Sequence, residues 1–555
     1  MSWVSAFRSR DVIRNAVLLV ICLWAGLAAG DEPQATTTRP ASDEPDLWSL
    51  ADQHAGTLRI STLFTARDVQ RHLSDAAGME KAIAWCRQTG ITHVYLETFR
   101  DGYTAERAAL LAAKQRFRQQ GFLVSGCVTT TGIGRKSVNG WMFPCFTEQA
   151  GLDKLTQIFE YAAGLFDEIM IDDFLATRCE CEDCVRARGD RSWDRFRCDL
   201  MVDVSRQRIL EPARRVNPAV SLIIKYPQWY DEFHEKGYDV LRQTRMFDKI
   251  WVGTETRDPD NEKWGRKSQY EAYFIMRWLA TLGGDKCGGG WFDPYGTIPA
   301  VYLEQGRQTV LAGAREVLLF CYGSLQSPEG QANVQAFRRE FPQLFELAAL
   351  LRGKTPRGIA APKPPDSPGG SNRYIYDYIG LLGLPLVPAV EIRADAAAMF
   401  LPLQASADAG LASKIATMVA AHKPLLLTRQ LAEKLAGSVD WAVPEISILD
   451  VPNDPWKLMD MPAETLQRIR DRMTAPFGVQ VQCPTRVALY LFEGNVAAVE
   501  SFNDRPAEVL LTVAGMKAPR LELSIPPQSA EIAVRGDGMR LLLAPRSLAV
   551  VKWAD

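Results

Sequence analysis

The sequence predicts an α/β protein: a closed (β/α)8 barrel, then a small open α/β domain, then a C-terminal β-sandwich. Three observations carry this. Between residues 56 and 355, eight short apolar runs each precede a helix-like stretch, the number of βα units that closes a parallel barrel. A Pro-rich segment, APKPPDSPGG at 361–370, interrupts the pattern, and a shorter βα alternation resumes behind it. From about Val487 the pattern turns to short β-rich runs separated by turn residues. A doubly wound open sheet is the rival for the first block, but no Gly-rich phosphate turn follows its first run.

In chain order, Arg8, Arg10 and Arg14 precede an apolar run at 16–27 and the small residues Ala28, Ala29 and Gly30. This predicts a signal peptide over 1–30 and a secreted or periplasmic protein; the run is short for a spanning helix. Residues 31–55 read as a disordered leader. The barrel, 56–355, has its strand-like runs at 58–63, 93–97, 122–128, 168–172, 221–226, 249–254, 288–292 and 316–322. Several are apolar almost throughout, as strands buried on both faces should be. Residues 356–482 form the open α/β domain and a linker, with runs at 399–403 and 424–428 around a helix at 411–421. Residues 483–555 form the sandwich.

A net charge of −2 on 555 residues gives no electrostatic reason to expect nucleic acid or an anionic membrane as partner. No later segment is long and apolar enough for stable membrane insertion. Five histidines, none at metal-ligand spacing from another, argue against a His-based metal site.

Barrel enzymes keep their reactive groups where strands end. The fourth run ends in Asp172 and Asp173, within FDEIMIDDFLATRCECEDC at 166–184. Two adjacent carboxylates at a buried strand end repel each other and need a purpose. Glu97 follows the second run, Lys225 and Tyr226 close the fifth, Glu255 and Arg257 follow the sixth, and Asp293 follows the seventh. Tyr95, Trp229, Trp251, Trp291 and Tyr322 supply aromatic surfaces nearby. Acids ringed by aromatic platforms suit a sugar: one carboxyl protonates the leaving oxygen, and a second attacks or activates water. The expected catalytic set is Asp173 or Asp172 with Glu255, then Asp293. Glu97, Tyr95, Lys225, Tyr226, Trp229, Arg257, Trp291 and Tyr322 are expected to contact substrate.

Six residues beyond Asp173 comes C-x-C-x2-C: Cys179, Cys181 and Cys184. With Cys145 from the preceding βα loop they offer four thiolates for a structural Zn²⁺. Disulfides or free thiols are the alternatives, although one residue between Cys179 and Cys181 is awkward for a mutual disulfide. The order strand four, acid, C-x-C-x2-C, helix, with a Cys in the preceding loop, resembles glycoside hydrolase family 42, the zinc-bearing β-galactosidases. That resemblance implies a barrel, an amidotransferase-like α/β domain that mediates trimerisation, and a small β domain. Where that family carries Glu after strands four and seven, this sequence has Asp172–Asp173 and Asp293, so the resemblance extends to the superfamily and not to the sugar. The string DEIMIDDF also looks like the strand-four segment of other bacterial barrel hydrolases. The reading is a secreted glycoside hydrolase. Its rivals are a non-catalytic carbohydrate-binding barrel and a structural scaffold.

Overall fold

The computed structural model describes residues 46–138, 142–261, 263, 266–536 and 538–554. The expected signal peptide and most of the expected leader lie outside the described residues. The leader's last residues do not behave as disordered chain. Leu47–His54 form a helix, α1, whose N-cap Asp46 accepts from the Trp48 N–H. Trp48 packs on Phe122 and His54 stacks on Phe345, because the short amphipathic segment has an apolar face to bury.

Eight strands close the barrel: β1 (Arg59–Phe64), β2 (His93–Arg100), β3 (Leu123–Val128), β4 (Glu168–Ile171), β5 (Ser221–Tyr226), β6 (Lys249–Gly253), β7 (Cys287–Phe292) and β8 (Glu316–Leu319). All neighbours are parallel, and β1 pairs with both β2 and β8, which shuts the cylinder. Side chains alternate in and out along each strand. Each strand therefore gives an inward residue to a shared interior cluster: Leu63, Tyr95, Cys127, Met170, Ile223, Trp251, Trp291 and Leu318. The alternate positions, such as Val94, Ile169, Leu222, Ile224 and Val252, pack outward in the main core beneath the helices.

After the barrel in the chain, five parallel strands form an open sheet: β9 (Ile359–Pro362), β10 (Leu386–Ala389), β11 (Met399–Leu401), β12 (Leu425–Thr428) and β13 (Ile446–Leu449). Their order is β10-β9-β11-β12-β13. The Pro-rich segment is thus no free linker: it begins inside β9, and Lys363 just after it is fully buried. The C-terminal residues build two antiparallel sheets of five and four strands. These share a core that includes Val481, Leu489, Val509 and Leu541. The chain enters this sandwich earlier than expected. Pro356–Arg357 pairs with Val487–Phe492, and Val479–Gln482 belongs to the smaller sheet. Among the described residues, no helix is long and apolar enough to cross a membrane.

Candidate active site

The C-terminal mouth of the barrel opens into a cavity of about 640 Å³. Asp172, Asp173, Lys225, Glu255, Trp291 and Asp293 line it, together with Trp229 and Arg257. The central feature is the Lys225 ammonium at the end of β5. Its Nζ lies 2.7 Å from Glu255 Oε1, 3.1 Å from Asp173 Oδ2 and 3.7 Å from Asp172 Oδ1. It also sits 3.7 Å above the Trp291 ring. Burial alone would push the Lys225 pKa down, but Asp173, Glu255 and Asp172 outweigh it and raise it, so the group stays charged.

The two adjacent aspartates are held differently. Asp172 Oδ2 accepts from Arg100 Nη2 at 2.6 Å and lies 3.1 Å from the Thr129 hydroxyl. Its Oδ1 accepts from the Asp173 N–H at 2.7 Å. Burial opposes its charge, yet Arg100 and Lys225 prevail and hold the carboxyl below its ordinary value. Asp173 is pushed well above its ordinary value by burial, against Lys225, with Asp172 and Glu255 adding repulsion. Asp173 is also the most accessible of the four acids, at 8% exposure against 2% for Asp172, 3% for Glu255 and 4% for Asp293. One strand end therefore carries a carboxylate and, beside it, a carboxyl that favours keeping its proton.

Glu255 reaches Lys225 because Gly253 has no side chain: a Cβ there would meet Glu255 Oε2 at 2.5 Å. That oxygen is buried and has no hydrogen-bond partner among the described residues. Across the mouth, Arg257 clamps Asp293 through Nη2 at 2.7 Å and Nε at 3.3 Å, and the Tyr295 N–H donates to Asp293 Oδ1 at 3.1 Å. Burial pushes Asp293 up to about 6, with Arg257 opposing and Glu255 adding to the rise. Phe143, Phe174 and Trp229 form an aromatic wall with centroids 6.0–6.3 Å apart.

Four expected substrate contacts lie elsewhere. Tyr226 follows Lys225 directly, so strand alternation turns it outward; its hydroxyl meets Thr244 and its ring packs on Phe233 and Tyr238. Tyr95 points inward but lies two residues deeper than the mouth, against His93 and Trp251. Tyr322 lies beyond the end of β8, on a short helix that turns its ring onto Phe64 and Trp85. Glu97 is fully buried and spent on Arg100 Nε, the Ala66 N–H and the Thr129 hydroxyl. It anchors Arg100, which in turn holds Asp172.

Sequence reasoning missed Arg100, Phe174, Tyr295 and Tyr374, all at the cavity. Arg100 had a signal: β2 runs on to residue 100, so the charged residue ending it belongs to the mouth. Tyr374 had none, since it arrives from the middle domain.

Beside the cavity, Cys145, Cys179, Cys181 and Cys184 gather, with their sulfurs all within 4.8 Å of one another. Cys145 Sγ lies 3.8 Å from the sulfurs of both Cys181 and Cys184, and no disulfide forms. Four ligands arranged tetrahedrally at about 2.3 Å stand about 3.8 Å apart, so the group suits a metal ion. Arg135 Nη2 donates to Cys181 Sγ at 3.1 Å and to Cys145 Sγ at 3.5 Å, offsetting thiolate charge. Phe143, two residues before Cys145, and Arg178, directly before Cys179, line the cavity.

Residues 45–355 match a family model described as "Probable glycosyl hydrolase, catalytic domain". An uncharacterized protein of Saccharolobus solfataricus is 25% identical over 341 residues, an alignment spanning 56% of this chain and 56% of that protein. The chain thus covers little more than half the length of this curated relative. Among solved structures, a GH5_18 variant from Streptomyces cattleya in complex with Manβ1-4GlcNAc is 14% identical and covers 66% of this chain and 98% of that one, with a TM-score of 0.41. The exo-β-1,4-mannosidase Op5Man5 from Opitutaceae bacterium strain TAV5 is 10% identical, covering 78% and 83%, with a TM-score of 0.42.

Proposed function

The chain belongs to the glycosyl hydrolase family whose catalytic-domain model spans its barrel, and from that premise we propose that it is an exported glycoside hydrolase using two carboxyl groups. The observation that carries this reading is the Lys225 bridge, which brings Asp173 and Glu255 to one ammonium while the surroundings favour a proton on Asp173. Asp173 donates that proton to the glycosidic oxygen as the bond to the leaving sugar breaks. Glu255, its charge balanced by Lys225, is the carboxylate that meets the oxocarbenium-like carbon. An inverting pair stands roughly 6.5–9.5 Å apart to admit a water. Two carboxylates that share one Nζ are closer than that, which favours retention through a glycosyl–Glu255 intermediate. Asp172 orients the pair, and Asp293 with Arg257 closes the opposite side. The wall of Phe143, Phe174 and Trp229 offers apolar surface to sugar ring faces.

The cysteine group is read as a structural Zn²⁺ site, closed by four protein ligands and linking the two loops that supply Phe143 and Arg178. Trimerisation through the middle domain follows the likeness to family 42. Export follows from the N-terminal segment. A panel of aryl glycosides and polysaccharides tests the central claim. Release of aglycone or reducing ends is expected, and saturable binding without release across the panel would favour the carbohydrate-binding rival. Metal analysis tests the second claim: one zinc per chain is expected, and metal-free protein with intact kinetics would remove it.

A further inference from the structure

In an open parallel sheet with order 2-1-3-4-5, ligands bind in the crevice beyond the strand ends where the order reverses. Here that point lies between β9 and β11. Lys363 follows β9 and Gln404 lies just past β11. The group between them belongs to the barrel: the Asp231 carboxylate, from the loop after β5. Lys363 Nζ stands 3.3 Å from Asp231 Oδ1, and both side chains are 0% exposed. Asp231 Oδ2 accepts from Gln404 Nε2 at 3.0 Å and from the Tyr374 N–H at 2.7 Å. Gly369 closes over it, where an added Cβ would come within 2.7 Å of the same oxygen. A buried cation, an amide and a backbone N–H around one carboxylate make an anion-binding site.

The same seating reaches the active site. Tyr374, whose N–H is held by Asp231, has φ +56°, a left-handed conformation that a bulky residue adopts only when its surroundings impose it. That turn sends its ring to the catalytic cavity, where its hydroxyl donates to Glu232 Oε1 at 3.1 Å. We propose that the switch-point crevice of the middle domain is a carboxylate-binding site occupied in cis by Asp231, and that this seating fixes Tyr374 as a substrate-contacting wall of the catalytic cavity. The second half rests on the glycoside hydrolase reading; the first does not. The middle domain thereby acts on the barrel's substrate rather than on a ligand of its own.

The test uses the full chain. Asp231→Ala empties the crevice of its own carboxylate. Acetate or formate is expected to raise the Tm of this variant saturably, by about 2 °C or more beyond chloride at equal ionic strength. Wild type and Asp231→Ala/Lys363→Met are expected to show no such difference. A single variant that responds equally to acetate and chloride overturns the site. If it does not stay folded in chloride, its refolding yield in acetate against chloride gives the same reading. For the wall, Tyr374→Ala is expected to raise KM about fivefold with kcat within about twofold, and an unchanged KM overturns it. Titration of Tyr374→Ala with an oligosaccharide reads the same loss without turnover. Absent hydrolysis by wild type would therefore count against the catalytic reading while both binding measurements still decide this one.

Discussion

Both ends of the barrel bury charged side chains around a cavity, and they balance those charges differently. At the N-terminal floor, His93 bridges Glu316 at 2.9 Å and the Ser125 hydroxyl at 2.9 Å. Ser125 Oγ then lies 3.0 Å from Glu168 Oε1, and Lys249 Nζ lies 2.5 Å from Glu168 Oε2. Ser125, His93 and Glu316 stand at the spacing of an acyl-transfer triad. Glu168 competes for the single hydroxyl proton, however, and each acid has its own basic partner, so the row reads as a closed plug. At the mouth, one ammonium serves Asp172, Asp173 and Glu255, and one Glu255 oxygen has no hydrogen-bond partner among the described residues. Three acids sharing one ammonium at the mouth, against one basic partner for each acid at the floor, separate the two ends. Carboxylates alone are abundant at both.

On the proposed mechanism, the contrast is sharpest at the proton donor. Asp173→Asn is expected to lower kcat/KM by about a thousandfold with the fold intact, whereas Glu168→Gln at the floor leaves kinetics within about twofold. Equal losses in steady-state assays of the two variants would erase the distinction. Next come the two lysines. Lys225→Met strands buried carboxylates and is expected to cost about 3 kcal/mol in urea unfolding. Lys249→Met removes a half-exposed partner, 47% accessible, and is expected to cost about 0–1 kcal/mol.

A pH-dependent effect concerns Asp293, raised by burial to about 6 from an ordinary 3.8. The native state keeps a proton there that the unfolded chain has lost. This contribution to stability is full below about pH 4 and is lost as pH rises through about 6. Asp293→Asn is expected to flatten that decline by about 3 kcal/mol; parallel wild-type and variant curves in pH-dependent unfolding would contradict it. Another small change is expected for Tyr226→Phe, about 1 kcal/mol of stability from the Thr244 hydrogen bond and no kinetic effect. A changed KM would return Tyr226 to the mouth.

The sequence by itself determined the barrel, because apolar runs and helical stretches are local features and eight repeats of them leave few other ways to bury both faces of the strands. It also determined that Asp172, Asp173, Glu255 and Asp293 belong to strand ends, and that Cys179, Cys181 and Cys184 sit close enough to share a ligand. Tertiary structure decided which neighbour faces the cavity. Lys225 and Tyr226 differ by one position, and barrel closure sends them to opposite sides. It decided that Glu97 is spent on Arg100, and that Tyr374 crosses from another domain to line the cavity at the mouth. The physical reason is that periodicity belongs to a single segment. The direction of a side chain and the charges that answer it depend on strands and loops far away in the chain.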